Sequence, residues 1–364
     1  MNIPFQRRLE VAGHSLLVSR LSILSTKETH TSTNSETLFE AFLNQHDDAD
    51  WTKAIRSLLP DIHEVDRTAV QIWFAFFPLS LARALQLADD SSKLAQELLL
   101  IGSYRLEDSI DSSHTFLYGH RYWPQVRRAV IEHATSGKAP ESLELTGQIR
   151  DVARSVARKI ELGDSLLIAI TAVAFGTLQR VGTRAFLASP GSVHLDRKVL
   201  RRKPDDVLAA RARDDDQGLF GFLRGQEKIY TVTYDESDRD ASFKLINTQQ
   251  LTTAAANDKR DHSLLDPRCM EGEGPIPIQC RSGACGTCWV GVLGGAEKFS
   301  DIGVLEARQL KEFGYLDNDG ESKPLIRLAC MAQAFGAVSI VIPPWNGVFG
   351  KHIRDEVSSF SAES

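Results

Sequence analysis

The chain lacks the signatures of the common nucleotide-binding enzymes. Neither a G-x-G-x-x-G after a strand-like segment nor a P-loop occurs in its 364 residues, and these glycine-rich loops hold the phosphates of dinucleotides and nucleoside triphosphates. We therefore expect that the chain takes no hydride from a nicotinamide cofactor by itself and needs a separate reductase for any redox role.

Long apolar runs are also missing. A membrane-spanning helix needs about 20 apolar residues, whereas the uncharged run from Ser165 to Gln179 has 15, and the run from Ile72 to Ala82 ends at Arg83. The mean hydropathy of −0.20 is that of an ordinary globular protein. We interpret both runs as core helices and expect no transmembrane segment, while docking to a larger complex stays open.

Cysteine is scarce, with five in the chain. Cys285 and Cys288 form the single C-x2-C pair, and a zinc ribbon usually needs two such pairs. Arg20 interrupts the apolar part of the N-terminal segment, so we expect neither a cleavable export signal nor an oxidising compartment in which disulfides persist. No feature indicates a nucleic-acid partner, and we predict a cytoplasmic location.

Four of the cysteines have the spacing of a metal-cluster site. Cys280, Cys285 and Cys288 follow C-x4-C-x2-C, and Cys330 lies on a separate segment, which is the ligand spacing of plant-type 2Fe–2S centres. Thiolates are soft donors that suit iron. The spacing therefore predicts one 2Fe–2S cluster with these four ligands. Zinc or structural thiols remain alternatives, and we interpret Cys269 as a spare thiol.

The residues between the first three cysteines are small. Gly283, Ala284, Gly286 and Thr287 allow the loop backbone to approach a cluster closely, and backbone N–H groups that point at sulfur help to set the redox potential. We therefore predict that these four residues contact the cofactor. Ser282 could add a hydroxyl donor.

The stretch from about residue 227 to 344 resembles a plant-type ferredoxin domain. KIYTVTYDE is similar to the first strand of that family, PIPIQCRSGACGTCWVGVLGG to the cluster loop and the next strand, and LIRLACMAQAFGAVSIVIPP to the segment with the fourth ligand. The resemblance implies a β-grasp fold and redox partner proteins. It also implies that Cys280 and Cys285 hold one iron, and that Cys288 and Cys330 hold the other.

The sequence departs from this family at two places. The segment between Leu251 and Ile276 is long, and 41 residues separate Cys288 from Cys330. Neither insertion contains a predicted ligand. We therefore expect both to change the surfaces that contact partner proteins and to leave the cluster site unchanged.

Local patterns within this stretch agree with the resemblance. Tyr230 and Val232 alternate with Ile229 and Thr231, as in a half-buried strand. The next segment, GAEKFSDIGVLEARQLKEFG, changes to helical spacing. Its predicted buried face consists of Val304, Leu305, Ala307, Leu310 and Phe313.

The first 220 residues have the pattern of helices. Apolar residues recur at helical spacing, and Pro78 is expected to kink one long helix. We predict an α+β protein, an all-α bundle of five to eight helices followed by a β-grasp domain. The predicted boundaries are an N-terminal arm at 1–35, a helical domain at 36–188, a connector at 189–226, the 2Fe–2S ferredoxin domain at 227–344 and a C-terminal tail at 345–364.

The stretch from Tyr104 to His133 concentrates carboxylates, histidines and aromatic residues. Asp111 and His114 are three residues apart, which would place them on one face of a helix. A di-iron site needs a second Glu-x-x-His motif, and a haem attachment motif is missing as well. We therefore favour an ordinary polar segment, with partner docking as an alternative.

Negative charge is concentrated in the ferredoxin-like stretch. The chain has a net charge of −6, and residues 226–345, with 17 acidic and 12 basic residues, account for −5 of it. Such a charge would steer the basic face of a partner protein toward this stretch. An ordinary solvated surface is the alternative.

Together these observations predict an electron carrier that transfers single electrons between a reductase and an acceptor protein, with the helical domain used for docking or regulation. No enzymatic reaction is assigned, and the chain is more consistent with a carrier than with an enzyme. Two alternatives remain: an electron-input module of an enzyme whose helical domain is catalytic, and a redox sensor or cluster-dependent interaction protein. Apolar segments GLFGFLRG and WNGVFG are expected at the junction, with Trp345 and Phe349 reaching back to the bundle.

Overall fold

Helices make up the first part of the chain. A computed structural model describes residues 37–137, 144–213, 228–315 and 324–350. The helices before the ferredoxin-like stretch are α1 (Leu38–Asn44), α2 (Asp48–Leu58), α3 (Glu64–Phe76), α4 (Leu79–Leu87), α5 (Ser91–Glu97), α6 (Trp123–Thr135), α7 (Leu145–Ile160), α8 (Ser165–Ala188), α9 (Arg197–Arg201) and α10 (Pro204–Ala212). The described residues before the sheet thus contain ten helices, more than the predicted five to eight, and eight of the ten lie between 36 and 188.

The ends of these helices follow from the sequence. Asp47 begins α2 with a capping box, because its side chain accepts from the N–H of Asp50 and the Asp50 side chain accepts in return. Pro78 separates α3 from α4 and occupies the N-cap of α4, so the predicted kink is a complete break between two helices. Gly182 has φ 77° and interrupts α8 near its C-terminal end.

Two helical stretches bear on whether the chain crosses a membrane. Two helical stretches, Glu64–Leu87 and Ser165–Ala188, are long and apolar enough to cross a bilayer. Core helices of globular proteins meet the same criterion, and most of the second stretch is buried. Neither stretch shows a transmembrane segment.

A mixed sheet forms the second part of the chain. Its strands are β2 (Ile229–Thr233), β3 (Ser242–Ile246), β4 (Trp289–Gly294), β5 (Ile326–Leu328) and β6 (Val338–Val341), and its helices are α11 (Leu251–Ala255) and α12 (Val304–Glu312). The strand order is β3-β2-β6-β4-β5, with β2 and β6 parallel and the other neighbours antiparallel. Tyr230 and Val232 of β2 face the core, which confirms the predicted alternation.

The predicted face of α12 is wrong in part. Leu310 and Phe313 are buried, but Val304 is 91% exposed and Leu305 is 47% exposed. The buried position on the first turn belongs to Glu306, whose carboxylate receives two hydrogen bonds from Arg327 on β5. An ion pair inside the core therefore sets the orientation of this helix, and hydrophobic spacing alone does not reveal it.

The helical part and the sheet share one core, and contacts group the described residues into a single compact unit. Helix α3 packs on β4, since a Cβ placed on Gly291 would lie 2.8 Å from Ile72. Strand β1 (Ile101–Gly102) of the helical part pairs with β7 (Trp345–Asn346), which follows the sheet. The indole N–H of Trp345 donates to the carbonyl oxygen of Phe76 at 2.8 Å.

These contacts confirm the expectation that Trp345 reaches the bundle. Phe349 is buried as well. The predicted connector also joins the helical part to the sheet. Arg211 on α10 forms a bidentate ion pair with Glu236 and donates to the carbonyl oxygen of Val65. The predicted arm at 1–35, the segment GLFGFLRG and most of the C-terminal tail lie outside the described residues.

Candidate metal centre

The loop from Cys280 to Cys288 owes its shape to left-handed backbone conformations. Arg281, Gly283 and Gly286 have φ of 53°, 77° and 67°. Two of the three are glycines, which adopt such angles without the steric cost that other residues incur. These turns fold a nine-residue segment tightly enough that its three cysteines face a common region.

The structure brings the four predicted cysteines together as two pairs. The side chains of Cys280 and Cys285 are hydrogen-bonded to each other, and so are those of Cys288 and Cys330. The pairs are neighbours, because the charge of Cys280 acts on the pKa of Cys330 and that of Cys285 acts on the pKa of Cys288. Cys330 reaches the loop from the segment that follows β5.

Each pair contains one thiol that ionises readily. Burial raises the pKa of Cys280, but hydrogen bonds with Cys285 and Ser282 outweigh it and bring the value to about 6. The hydrogen bond with Cys330, together with burial, raises the pKa of Cys288 well above its usual value. The same bond lowers the pKa of Cys330. Thiolates are the form that binds iron, and binding releases the remaining protons.

The other predicted loop residues take different places. The N–H of Gly283 donates to the sulfur of Cys330, and Gly286 packs against Phe313, since a Cβ there would lie 2.8 Å from the ring. Thr287 is buried and donates from its hydroxyl to the Gln279 side chain at 3.1 Å. Ala284 is exposed, so its contribution to a cofactor contact would come from the backbone.

The donor set of the four thiols is that of a cluster with two irons. In the part of the chain that the structure describes, no group of three or more His, Cys, Asp or Glu residues is arranged around one metal-ion position. Two adjacent cysteine pairs instead match the ligand set of a 2Fe–2S centre, which places two thiolates on each iron. Trp289, directly after Cys288, has a buried indole N–H without an acceptor in the described residues.

The comparison with known families agrees with this geometry. Residues 247–334 match the model of the 2Fe-2S iron-sulfur cluster binding domain family. The chain contains a 2Fe–2S ferredoxin-type domain. The match includes all four cysteines of the two pairs, and a 2Fe–2S cluster is the cofactor of such a domain. No match to a curated protein or to a solved structure was found.

The family match begins just after β3. Strands β2 and β3 therefore lie before it, although both pair in the same sheet as β4 and β6. The helical part precedes the matched region entirely. Electron transfer through the cluster is the role that this ferredoxin-type domain supports, and such domains interact with redox partners.

Burial differs between the two sides of the site. Cys288 and Cys330 are each 1% exposed, whereas Cys280 and Cys285 are partly accessible. Arg281, Ser282 and Ala284 next to the accessible pair are exposed. The site therefore has one outer side toward solvent and one inner side toward the helical part.

Sequence reasoning missed several residues that hold the loop in place. The Asn346 amide on β7 donates to the carbonyl oxygen of Thr287, and Arg281 forms an ion pair with Glu273 of the long insertion. Glu306 accepts from the N–H of Leu328, two residues before Cys330. These partners are distant in sequence, so no local pattern identifies them.

The described segment from Tyr104 to Tyr122 forms no α-helix, so Asp111 and His114 do not share a helix face. It runs through turns and short 3-10 helices before α6. The Asp111 carboxylate accepts from the indole N–H of Trp123 at 2.7 Å, the Ser189 hydroxyl and the Gly191 N–H. The Nδ1 atoms of His114 and His120 are 2.9 Å apart, and burial lowers the pKa of His120 to about 4. Both Asp111 and the histidine pair are thus engaged in holding the fold.

Proposed function

We propose that this protein is a one-electron carrier that accepts an electron from a separate reductase and passes it to an acceptor protein, with Cys280, Cys285, Cys288 and Cys330 as the ligands of its cluster. The supporting observation is the pair of adjacent, hydrogen-bonded cysteine pairs inside the family match. The bound cluster supplies the one-electron change of oxidation state. A β-grasp fold of the mixed sheet and a cytoplasmic location are parts of the same proposal.

The loop backbone adjusts the redox potential in this proposal. The N–H groups of Ser282 and Cys285 donate to the sulfur of Cys280, and that of Gly283 donates to Cys330. Such hydrogen bonds stabilise the extra negative charge of the reduced state. We expect a potential on the low side, near the value of about −400 mV of plant-type ferredoxins.

Electrons exchange with partner proteins at the outer side of the site. Cys280 and Cys285 are partly accessible there, and exposed Arg281 and Ser282 flank them. On the inner side, Trp289 and the buried pair of Cys288 and Cys330 keep water from the sulfurs. This accessible edge directs electron exchange with partner proteins to one face of the protein.

The insertion before the loop offers a docking surface beside this edge. Leu264, Leu265 and Met270 are 85%, 87% and 54% exposed, and the ion pair between Glu273 and Arg281 connects the insertion to the cluster loop. Contiguous exposed apolar residues often mark interaction sites. We assign this insertion surface to a partner with an apolar centre and a basic rim, because the ferredoxin-like stretch carries −5 of the net charge.

The helical part holds the cluster domain in a fixed orientation in this proposal. The β1–β7 pair, Trp345 and Arg211 connect it to the sheet. A rigid body of this kind extends the docking face for a partner or regulates access to it. No separate reaction is assigned to the helices.

The ligand assignment is tested by single serine substitutions in anaerobically purified protein. Cys280→Ser, Cys285→Ser, Cys288→Ser and Cys330→Ser should lower the iron and sulfide content well below two of each per chain and weaken the visible absorption. Cys269→Ser is the matched control, since Cys269 is buried and donates to the carbonyl oxygen of Pro275. Retention of two irons after removal of Cys330 would refute the assignment.

The charge of the docking surface is tested with cytochrome c as a basic acceptor. Asp261→Asn with Glu271→Gln should slow its reduction several-fold at low salt, and the difference should disappear at high ionic strength. The control is Asp89→Asn with Glu64→Gln, which removes two exposed acidic residues from the helical part. Equal slowing in both double variants would show that only net charge matters and not this surface.

A further inference from the structure

A cavity of about 750 Å³ lies at the junction between the helical part and the ferredoxin-type domain. Its walls come from α2, from the second half of α3, from the start of α4, from residues that follow α12, and from β7 and the residues after it. Pockets for small ligands commonly have volumes of roughly 300–1,000 Å³ and lie where structural units meet. The size and place of this junction cavity are those of a small-molecule site.

Aromatic side chains from both parts of the chain line the cavity. The aromatic lining residues are Trp51, Phe74, Phe313, Tyr315, Trp345 and Phe349. Aromatic walls on several sides favour a flat apolar ligand, because rings stack on one another face to face with an offset or edge to face.

The cavity lies one aromatic side chain away from the cluster loop. The ring of Tyr315 is 4.4 Å from that of Trp289, which follows Cys288 directly. Phe313 packs against Gly286, and the ring of Trp345 is 5.6 Å from that of Trp289. A molecule in the junction cavity would therefore lie against the same rings that cover the inner side of the site.

The charge at the cavity is positive. Among the described lining residues Asp48 is the acidic one, and its carboxylate accepts from the N–H groups of Leu79 and Ser80 at 2.7 and 2.8 Å. The buried Arg180 guanidinium lies 3.9 Å from it and balances its charge. Lys53 and Arg56, exposed on successive turns of α2, remain at the rim. An anionic group on the ligand is therefore favoured.

We propose that the junction cavity binds a planar aromatic electron acceptor that carries an anionic group, of which a sulfonated or carboxylated quinone is the simplest class. This rests on the proposed electron-carrier function. Two reduced protein molecules give one electron each, and two protons from solvent complete the conversion of the quinone to the hydroquinone. The ligand enters with its anionic group toward Lys53 and Arg56 and its rings toward Tyr315 and Trp345.

Binding is tested first with a probe that is not reduced. Naphthalene-2-sulfonate should bind the full-length, cluster-loaded protein saturably with one site per chain in equilibrium dialysis. Lys53→Gln with Arg56→Gln should weaken binding at least tenfold, and Ala49→Trp, at the exposed rim of the cavity, should abolish it. The control is Arg128→Gln with Lys198→Gln, which removes two exposed cations elsewhere and should leave the affinity unchanged.

The position of the probe is tested by NMR. Its proton lines should broaden more in the dithionite-reduced protein, whose cluster is paramagnetic, than in the oxidised protein. Ala49→Trp should remove this difference. Absence of saturable binding, or equal weakening by the control pair, would overturn the site, and binding without redox-dependent broadening would overturn its proximity to the cluster.

Electron transfer is then tested with anthraquinone-2-sulfonate in stopped-flow experiments. Its reduction by the pre-reduced protein should saturate with concentration, and the Lys53 and Arg56 double variant should need at least tenfold more quinone for half saturation. Absence of reduction by a protein that still binds naphthalene-2-sulfonate would contradict the electron step alone. Loss of reduction of every acceptor, cytochrome c included, would instead contradict the carrier function on which the proposal rests.

Discussion

Gly286 lies in the loop from Cys280 to Cys288, where it packs against the ring of Phe313. Its φ of 67° is in the left-handed region, and a Cβ would lie 2.8 Å from the Phe313 ring. Two separate physical requirements, one of backbone conformation and one of space, thus act on this residue. Gly272 shares only the first, since its φ is 79° and a Cβ there would meet no atom within 4 Å.

Gly286→Ala should therefore disrupt the site more than Gly272→Ala. The backbone requirement costs about 1–2 kcal/mol in either variant, and overpacking adds about 1–3 kcal/mol at Gly286 alone. Iron content and thermal unfolding of the two purified variants measure the difference. Equal iron content and equal melting temperatures would contradict the close packing of the loop on Phe313.

Asp66 is a buried carboxyl group in the helical part. Its oxygens accept from the N–H groups of Tyr118 and Gly119 at 2.6 and 2.8 Å, yet burial outweighs these bonds and raises its pKa from 3.8 to about 6. Folding therefore favours the protonated carboxyl group of Asp66. Its contribution to the free energy of unfolding is complete below pH 3.8 and is lost as the pH rises through 6.

The pH dependence of stability should therefore differ between the wild type and Asp66→Asn. Relative to the variant, the wild type should lose about 2–3 kcal/mol of unfolding free energy between pH 4 and 7, because each pKa unit corresponds to about 1.4 kcal/mol. Urea unfolding followed by circular dichroism at several pH values measures the unfolding free energy of both proteins. The contributions of the other titrating groups cancel when the value of the variant is subtracted from that of the wild type. A difference that is constant with pH would show that Asp66 keeps its ordinary pKa.

At the scale of elements, α12 and β5 are joined by a buried ion pair. Glu306 and Arg327 are 1% and 3% exposed, and their bidentate contact has a nitrogen–oxygen distance of 2.8 Å. Since β5 leads directly to Cys330, the pair connects the helix to the fourth cysteine. Breaking one partner of a buried pair leaves an uncompensated charge, which is far more costly than breaking an exposed pair.

Glu306→Gln should lower the unfolding free energy by about 3–5 kcal/mol and should also reduce the iron content. Arg308→Gln is the matched control on the same helix, because Arg308 and Glu312 form an exposed pair at 3.3 Å that contributes less than about 1 kcal/mol. Denaturant unfolding and iron analysis compare the two. A loss in Glu306→Gln no larger than that in the control would show that the ion pair does not hold the Cys330 segment.

At the scale of the whole molecule, the junction between helices and sheet has the character of a core. Phe76, Trp289 and Trp345 are each at most 1% exposed and form edge-to-face contacts at 5.1 and 5.6 Å. A surface of this kind does not stay exposed in water without cost. We therefore expect each part to depend on the other for its fold.

A protease site placed between Arg213 and Lys228 tests this dependence. After cleavage of the intact, cluster-loaded protein, the two fragments should elute together in size-exclusion chromatography and keep the visible spectrum. Trp345→Ala should make the fragments separate, because truncation of a buried tryptophan typically costs about 3–5 kcal/mol and removes the hydrogen bond to Phe76. Separation of the wild-type fragments after cleavage would contradict a shared core.

Much of the fold was predictable from the sequence because its signals are local. Alternation at Tyr230 and Val232 identified β2, and helical periodicity together with Pro78 identified α3 and α4. The face of α12 was predicted wrongly for Val304 and Leu305, since a periodicity count treats the charged Glu306 as a surface residue. A buried charge becomes understandable only when its partner, 21 residues later, is in view.

The identity of the cofactor follows from the amino-acid sequence without any knowledge of the fold. Four cysteines at that spacing, with glycines between them, already specify which donor atoms are present and how tightly the loop can turn. Which cysteine pair faces solvent, and that Trp345, Tyr315 and Phe313 form a cavity near the loop, emerged only from the folded molecule. The physical reason is that ligand chemistry and backbone freedom are properties of single residues, whereas burial, hydrogen-bond partners and cavities arise only when distant segments pack together.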